Sequence, residues 1–160
     1  MKEDGVLEKS IQFFKNQGWV LIYQTRSLSE GAIGGVDAIL LLRDPLRLIF
    51  VDAKGETSNS VKRSTDFTNA LGALVKRIRF ERGYSTVEDI KRYLSIEGLK
   101  PVQVRDLVKK HGVHRNSEYV LAVDPSMKET IKSALDPSLA GLLHIRILLV
   151  DEESVGFFQW

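Results

Sequence analysis

Two apolar runs joined by a breaker pair constrain this chain more than any other feature in it. Residues 34–56 read GGVDAILLLRDPLRLIFVDAKGE. Ala38 to Leu42 and Leu46 to Val51 flank Arg43-Asp44-Pro45, and Asp-Pro marks a turn between strands. The pattern predicts an antiparallel hairpin. A turn centred on Asp44 and Pro45 makes partner numbers sum to about 89, which sets Asp37 opposite Asp52. A loop one residue longer is also open, because Pro fits poorly at the second central turn position. Both runs are apolar on both faces, so the hairpin belongs inside a sheet covered from two sides.

Ionisable groups gather at one end of these apolar strands. Side chains alternate along a strand, so Asp52 and Lys54 share a face, and Asp37 joins them from across the ladder. Facing carboxylates repel, and each loses hydration on burial. A divalent cation between them reverses the sign of that interaction. Hard cations such as Mg2+ or Mn2+ take carboxylate and carbonyl oxygens, so Asp37, Asp52 and the Ala53 carbonyl are the candidate ligands. Such a cation acidifies a bound water, and Lys54 is placed to orient that water and to neutralise charge on a phosphate. Read singly, an Asp at a strand start is a cap and Asp-Ala-Lys is a solvated strand exit. Read together, they suit hydrolysis of a phosphodiester.

Asp37 followed by Asp52-Ala53-Lys54 resembles the signature of the PD-(D/E)xK nuclease superfamily, which includes restriction endonucleases, archaeal Holliday-junction resolvases and Mrr-type enzymes. Val36 stands where that family often has proline. The resemblance covers about two-thirds of the chain and leaves Gly83 to Arg115 outside it. It implies a restriction-endonuclease-like core: a helix before the hairpin, a helix after it, then a strand-helix-strand unit. It also implies a metal-dependent deoxyribonuclease with Asp37, Asp52 and Lys54 catalytic, DNA as partner, and a homodimer as a possible assembly. A glutamate on the first helix often reaches the metal in this family. Glu8 is the candidate here, although it lies at the edge of the apolar face. Glu3 is nearer the centre of that face, at the start of the helix.

The flanking elements follow from periodicity. Leu7, Ile11 and Phe14 predict a helix over 4–16, stopped by Gly18, with a strand from Trp19 to Tyr23. Phe67, Leu71, Leu74, Val75 and Ile78 predict a second helix from Thr65 to Arg82, capped by Ser64 or Thr65. Thr65-Asp66-Phe67 with Asn69-Ala70-Leu71-Gly72 faintly resembles a nuclease family linked to excision of genomic elements. That family continues with glutamine where this chain has Ala73. The departure favours the alternative function: an inactive nuclease-like module for DNA binding or assembly.

Charge is distributed unevenly. Residues 61–115 carry 13 Lys and Arg against 6 Asp and Glu, whereas the 160-residue chain as a whole is only +2. Lys62, Arg63, Lys76, Arg105, Lys109 and Lys110 are the candidate phosphate contacts in this stretch, although solvated helix faces carry the same residues. Within it, residues 84–115 read as a helical insertion. Ser85-Thr86-Val87-Glu88 resembles a capping box, and Pro101 opens a second short helix after Gly98. DNA reading, a dimer contact and a clip beside the site are all open uses for it. The chain has no cysteine and three scattered histidines, which excludes a disulfide framework and a zinc cluster. It shows no membrane-length apolar run and no signal-peptide core, so a cytoplasmic location is expected.

The tail predicts a strand over 118–123, a helix over 126–135, a strand over 142–150 and a last short strand from Val155. The expected fold is α/β, one domain over 1–160, with a central mixed β-sheet flanked by helices.

Overall fold

A computed structural model describes residues 1–24, 37–42, 47–57, 59–81, 117–142 and 144–160. Helix α1 spans Glu3–Lys15 because Val6, Leu7, Ile11 and Phe14 fall on one stripe, and all four are buried. Ser10 shares that stripe and returns its hydroxyl to the Val6 carbonyl at 2.6 Å. The helix ends where expected. Gly18 adopts φ 90°, its N–H donates to Lys15 at 3.0 Å, and the Trp19 N–H donates to Phe14 at 3.1 Å. These paired bonds form a Schellman motif, and the Phe14 and Trp19 rings make the apolar contact that accompanies it.

Six strands form one mixed sheet in chain order: β1 (Val20–Gln24), β2 (Ala38–Leu42), β3 (Arg47–Lys54), β4 (Ser117–Val123), β5 (Ile145–Val150) and β6 (Val155–Phe157). The first three are antiparallel neighbours, β3, β4 and β5 run parallel, and β6 turns back antiparallel. The β2–β3 register runs from Ala38↔Val51 to Leu42↔Arg47, the pairing expected from the Asp44-Pro45 turn. The turn residues themselves, 43–46, lie outside the described residues.

Alternation splits the core in two. Ala38, Leu40, Ile49, Val51, Ala53, Val120, Ala122 and Leu148 pack on the α1 side. Ile39, Leu41, Phe50, Leu121, Val123, Ile145 and Ile147 pack on the other side. That second side is covered by α2 (Ser60–Glu81), α3 (Lys128–Ala134) and α4 (Pro137–Leu142) through Phe67, Ala70, Ile131 and Ala140. The mixed sheet with helices on both faces is therefore present among the described residues.

Three boundaries differ from the sequence expectation. Helix α2 starts at Ser60, because the Asn59 side chain caps it by accepting the Lys62 N–H at 2.7 Å. Its first turn is solvated, with Val61 76% exposed, so no apolar stripe announced it. The expected 126–135 helix is a 3-10 turn, Pro125–Met127, followed by α3; the Asp124 carboxylate caps the turn through the Ser126 N–H at 2.9 Å. The expected strand start at Leu142 is the end of α4. Asp136-Pro137 is a helix start as well as a stop, because Asp136 accepts the Ser138 N–H at 2.7 Å and Pro suits a first helical position. The chain then turns through His144, which takes φ 54°. The 84–115 insertion lies outside the described residues.

Candidate functional site

The end of the β2–β3 hairpin gathers the ionisable groups. The Asp37 N–H donates to the Val51 carbonyl at 2.8 Å, although the register partner of Val51 is Ala38. The chain is thus drawn in by one residue as it enters β2. This brings the Asp37 carboxylate down onto β3, where Oδ2 accepts the Ala53 N–H at 2.8 Å. Within a strand the N–H and C=O of one residue leave by the same edge, so the Ala53 carbonyl also points to the Asp37 side. The Lys54 carbonyl leaves by the opposite edge and accepts the Asp124 N–H at 3.3 Å.

Asp37 and Asp52 are 4% and 6% exposed, and with Ser10 they are the buried polar side chains among the described residues. Their carboxyl groups lie within hydrogen-bonding reach of each other. Burial pushes Asp52 up to about 8, helped by its hydrogen bond to Asp37 and by the Asp37 charge. A cation set between the two carboxyl groups would favour their charged forms and offset this cost of burial. Two carboxylates and a peptide carbonyl are hard oxygen donors, and this set fits Mg2+ or Mn2+ better than a softer metal. Among the described residues no group of three His, Cys, Asp or Glu side chains is placed to hold a metal ion. The remaining positions around a cation here would fall to the Ala53 carbonyl, water and substrate.

Lys54 stands beside this pair. Its Nζ donates to Glu3 Oε1 at 3.2 Å. Burial alone would lower its affinity for a proton, but the charges of Asp52, Glu3 and Asp37 raise it above the ordinary lysine value. Lys54 is therefore a fixed cation. It suits stabilisation of negative charge and does not suit proton abstraction.

Glu3, and not Glu8, is the carboxylate that α1 brings to this place. Glu8 is exposed, one position past the buried Leu7, and it faces away from the sheet. Glu3 precedes Leu7 by four residues and so lies on the stripe that packs. Gly55 lets the start of the helix approach: a Cβ there would stand 2.4 Å from the Glu3 nitrogen. The signal for Glu3 was present in the helical spacing.

Of the basic residues, Lys62 is exposed at the start of α2. Arg63 is a clamp within the fold. Its guanidinium donates to the Ser126 carbonyl at 3.2 Å and the Asn59 carbonyl at 3.4 Å, tying α2 to the turn after β4. Lys76 falls on α2, and Arg105, Lys109 and Lys110 lie outside the described residues. No helix among the described residues is long and apolar enough to cross a membrane. No family model, curated protein or solved structure matches the chain.

Proposed function

We propose that the protein is a divalent-metal-dependent endonuclease that hydrolyses DNA phosphodiester bonds at Asp37, Asp52 and Lys54. The observation that carries this reading is a buried carboxylate pair with a charged lysine at the end of one hairpin. The order of a helix, an antiparallel hairpin, a second helix and then a parallel strand supports the reading.

Asp37, Asp52 and the Ala53 carbonyl would hold Mg2+ or Mn2+, which supplies the positive charge that acidifies water and draws electrons from the phosphate. The chain's own residues do the rest. The Ala53 N–H fixes the Asp37 carboxylate in place. Burial of both carboxylates makes the site weakly hydrated, which strengthens each charge interaction in it. Lys54 presents its ammonium to the negative charge that grows on the phosphoryl oxygens as the bond to the leaving oxygen breaks. The basic balance of residues 61–115 supports a polyanionic partner.

The test is cleavage of supercoiled, linear and branched DNA with Mg2+ or Mn2+, each paired with a chelator control. Metal-dependent nicking or cutting of at least one form is expected, abolished by chelator. If no DNA form is cut with either metal, the reading gives way to an inactive nuclease-like module that binds DNA or assembles with other proteins. Ala73, where the excision-linked family carries glutamine, favours that second reading.

A further inference from the structure

We infer that Glu3 is a positioning residue for Lys54 that keeps its ammonium off the carboxylate pair. The inference rests on the nuclease reading above. Lys54 carries its charge on a flexible four-carbon stem and shares its strand face with Asp52. Left alone, the ammonium would settle on the nearest carboxylates, Asp52 and Asp37, and cover the oxygens a cation needs. The ion pair it makes is instead with Glu3, at 3.2 Å, with both side chains about one-third exposed.

The backbone holds Glu3 still for this task. Glu3 is the first residue of α1, and its nitrogen lies against Gly55, the residue after Lys54. The Glu56 N–H donates to the Met1 carbonyl at 2.7 Å, and the Val6 N–H donates to the Lys2 carbonyl at 3.1 Å. The start of the helix and the end of β3 are thus locked together over the residues that bear the pair. A carboxylate anchored on a helix and facing the strand end gives Lys54 one defined position at the mouth of the site.

A double-mutant cycle with manganese titration tests this, using wild type, Glu3→Gln, Lys54→Ala and the double variant. Glu3→Gln keeps the side-chain volume at a part-exposed position, so folding is expected to survive, and the melting temperature checks it. Glu3→Gln should lower kcat about tenfold, the worth of one charged hydrogen bond, and weaken manganese binding because the released Lys54 ammonium competes for the carboxylates, with KM for DNA unchanged. It should add no loss in the Lys54→Ala background, because both changes remove the same ammonium position. Glu3→Asp, which restores the charge, should recover part of the rate. Independent, multiplying losses would overturn the inference, as would a weakening of manganese binding by Glu3→Gln that persists in the Lys54→Ala background, which would make Glu3 a ligand. A wild-type protein that cuts no DNA would instead overturn the nuclease reading and the role of Glu3 with it.

Discussion

Lys54→Ala should retain DNA and manganese binding while losing metal-dependent cleavage by about a hundredfold or more. The size follows from where the charge acts. One phosphate contact among many adds little to the affinity of a polyanion, whereas a charge aimed at the reacting phosphoryl group acts on the barrier itself. Lys54 is part-buried among Asp52, Glu3 and Asp37, and those charges keep it protonated. Its loss should therefore lower kcat and move the pH at which activity rises upward, because the Lys54 charge lowers Asp52. Single-turnover kinetics on a cleaved DNA, with binding measured separately in chelator, checks this. A variant that cleaves at the wild-type rate would reduce Asp52-Ala53-Lys54 to an ordinary strand end.

Asp52→Asn should make the metal-free protein more stable at pH 8 and leave it little changed at pH 4. The folded state holds the Asp52 proton up to about pH 8, whereas the unfolded chain releases it near 3.8. Between those values the folded state binds more protons than the unfolded state, so stability falls as pH rises. The contribution is fully present below pH 3.8 and lost by about pH 8. Asparagine has nearly the same shape, carries no proton to lose and keeps a hydrogen-bond donor for Asp37. The gain at pH 8 should be on the order of a few kcal/mol, or roughly 5–10 °C in melting temperature for a domain of this size. Thermal melts of both proteins in chelator at pH 4, 6 and 8 measure it. A variant destabilised equally at all three values would mean that the Asp52 carboxylate is paired in the fold. Manganese should narrow the gap at pH 8, because a bound cation stabilises only the wild type.

The two predictions share a cause that was visible in the sequence. The turn centre at Asp44-Pro45 between two apolar runs set the register from Ala38 to Leu42, and the register delivered Asp37 to the Asp52 neighbourhood. The offset at Asp37 was not visible, because a one-residue shift at a strand end leaves no trace in periodicity. Glu3 was legible by spacing from Leu7 and Phe14, but its place in the first turn made Glu8 the nearer candidate. Its docking depends on Gly55, a contact fifty residues away in sequence that no local pattern records. The start of α2 was misplaced because its cap, Asn59, precedes a solvated turn. Helix α4 escaped notice because Asp136-Pro137 serves as a stop for one segment and a start for the next. Arg63 read as a phosphate contact by charge alone, yet two backbone carbonyls take up its guanidinium.

The central claim is that Asp37 and Asp52 are buried together to hold a divalent cation. Titration calorimetry with Mn2+ at pH 8 tests it most directly, comparing wild type with Asp52→Asn under conditions where melts show both proteins folded. Carboxylate ligands must lose their proton before they can bind, so wild-type affinity should also weaken as pH falls below the Asp52 value of about 8. One bound Mn2+ in the wild type, weakening toward pH 6 and lost in Asp52→Asn, is the expected result. Equal binding by the two proteins, or no binding by either, would contradict the account.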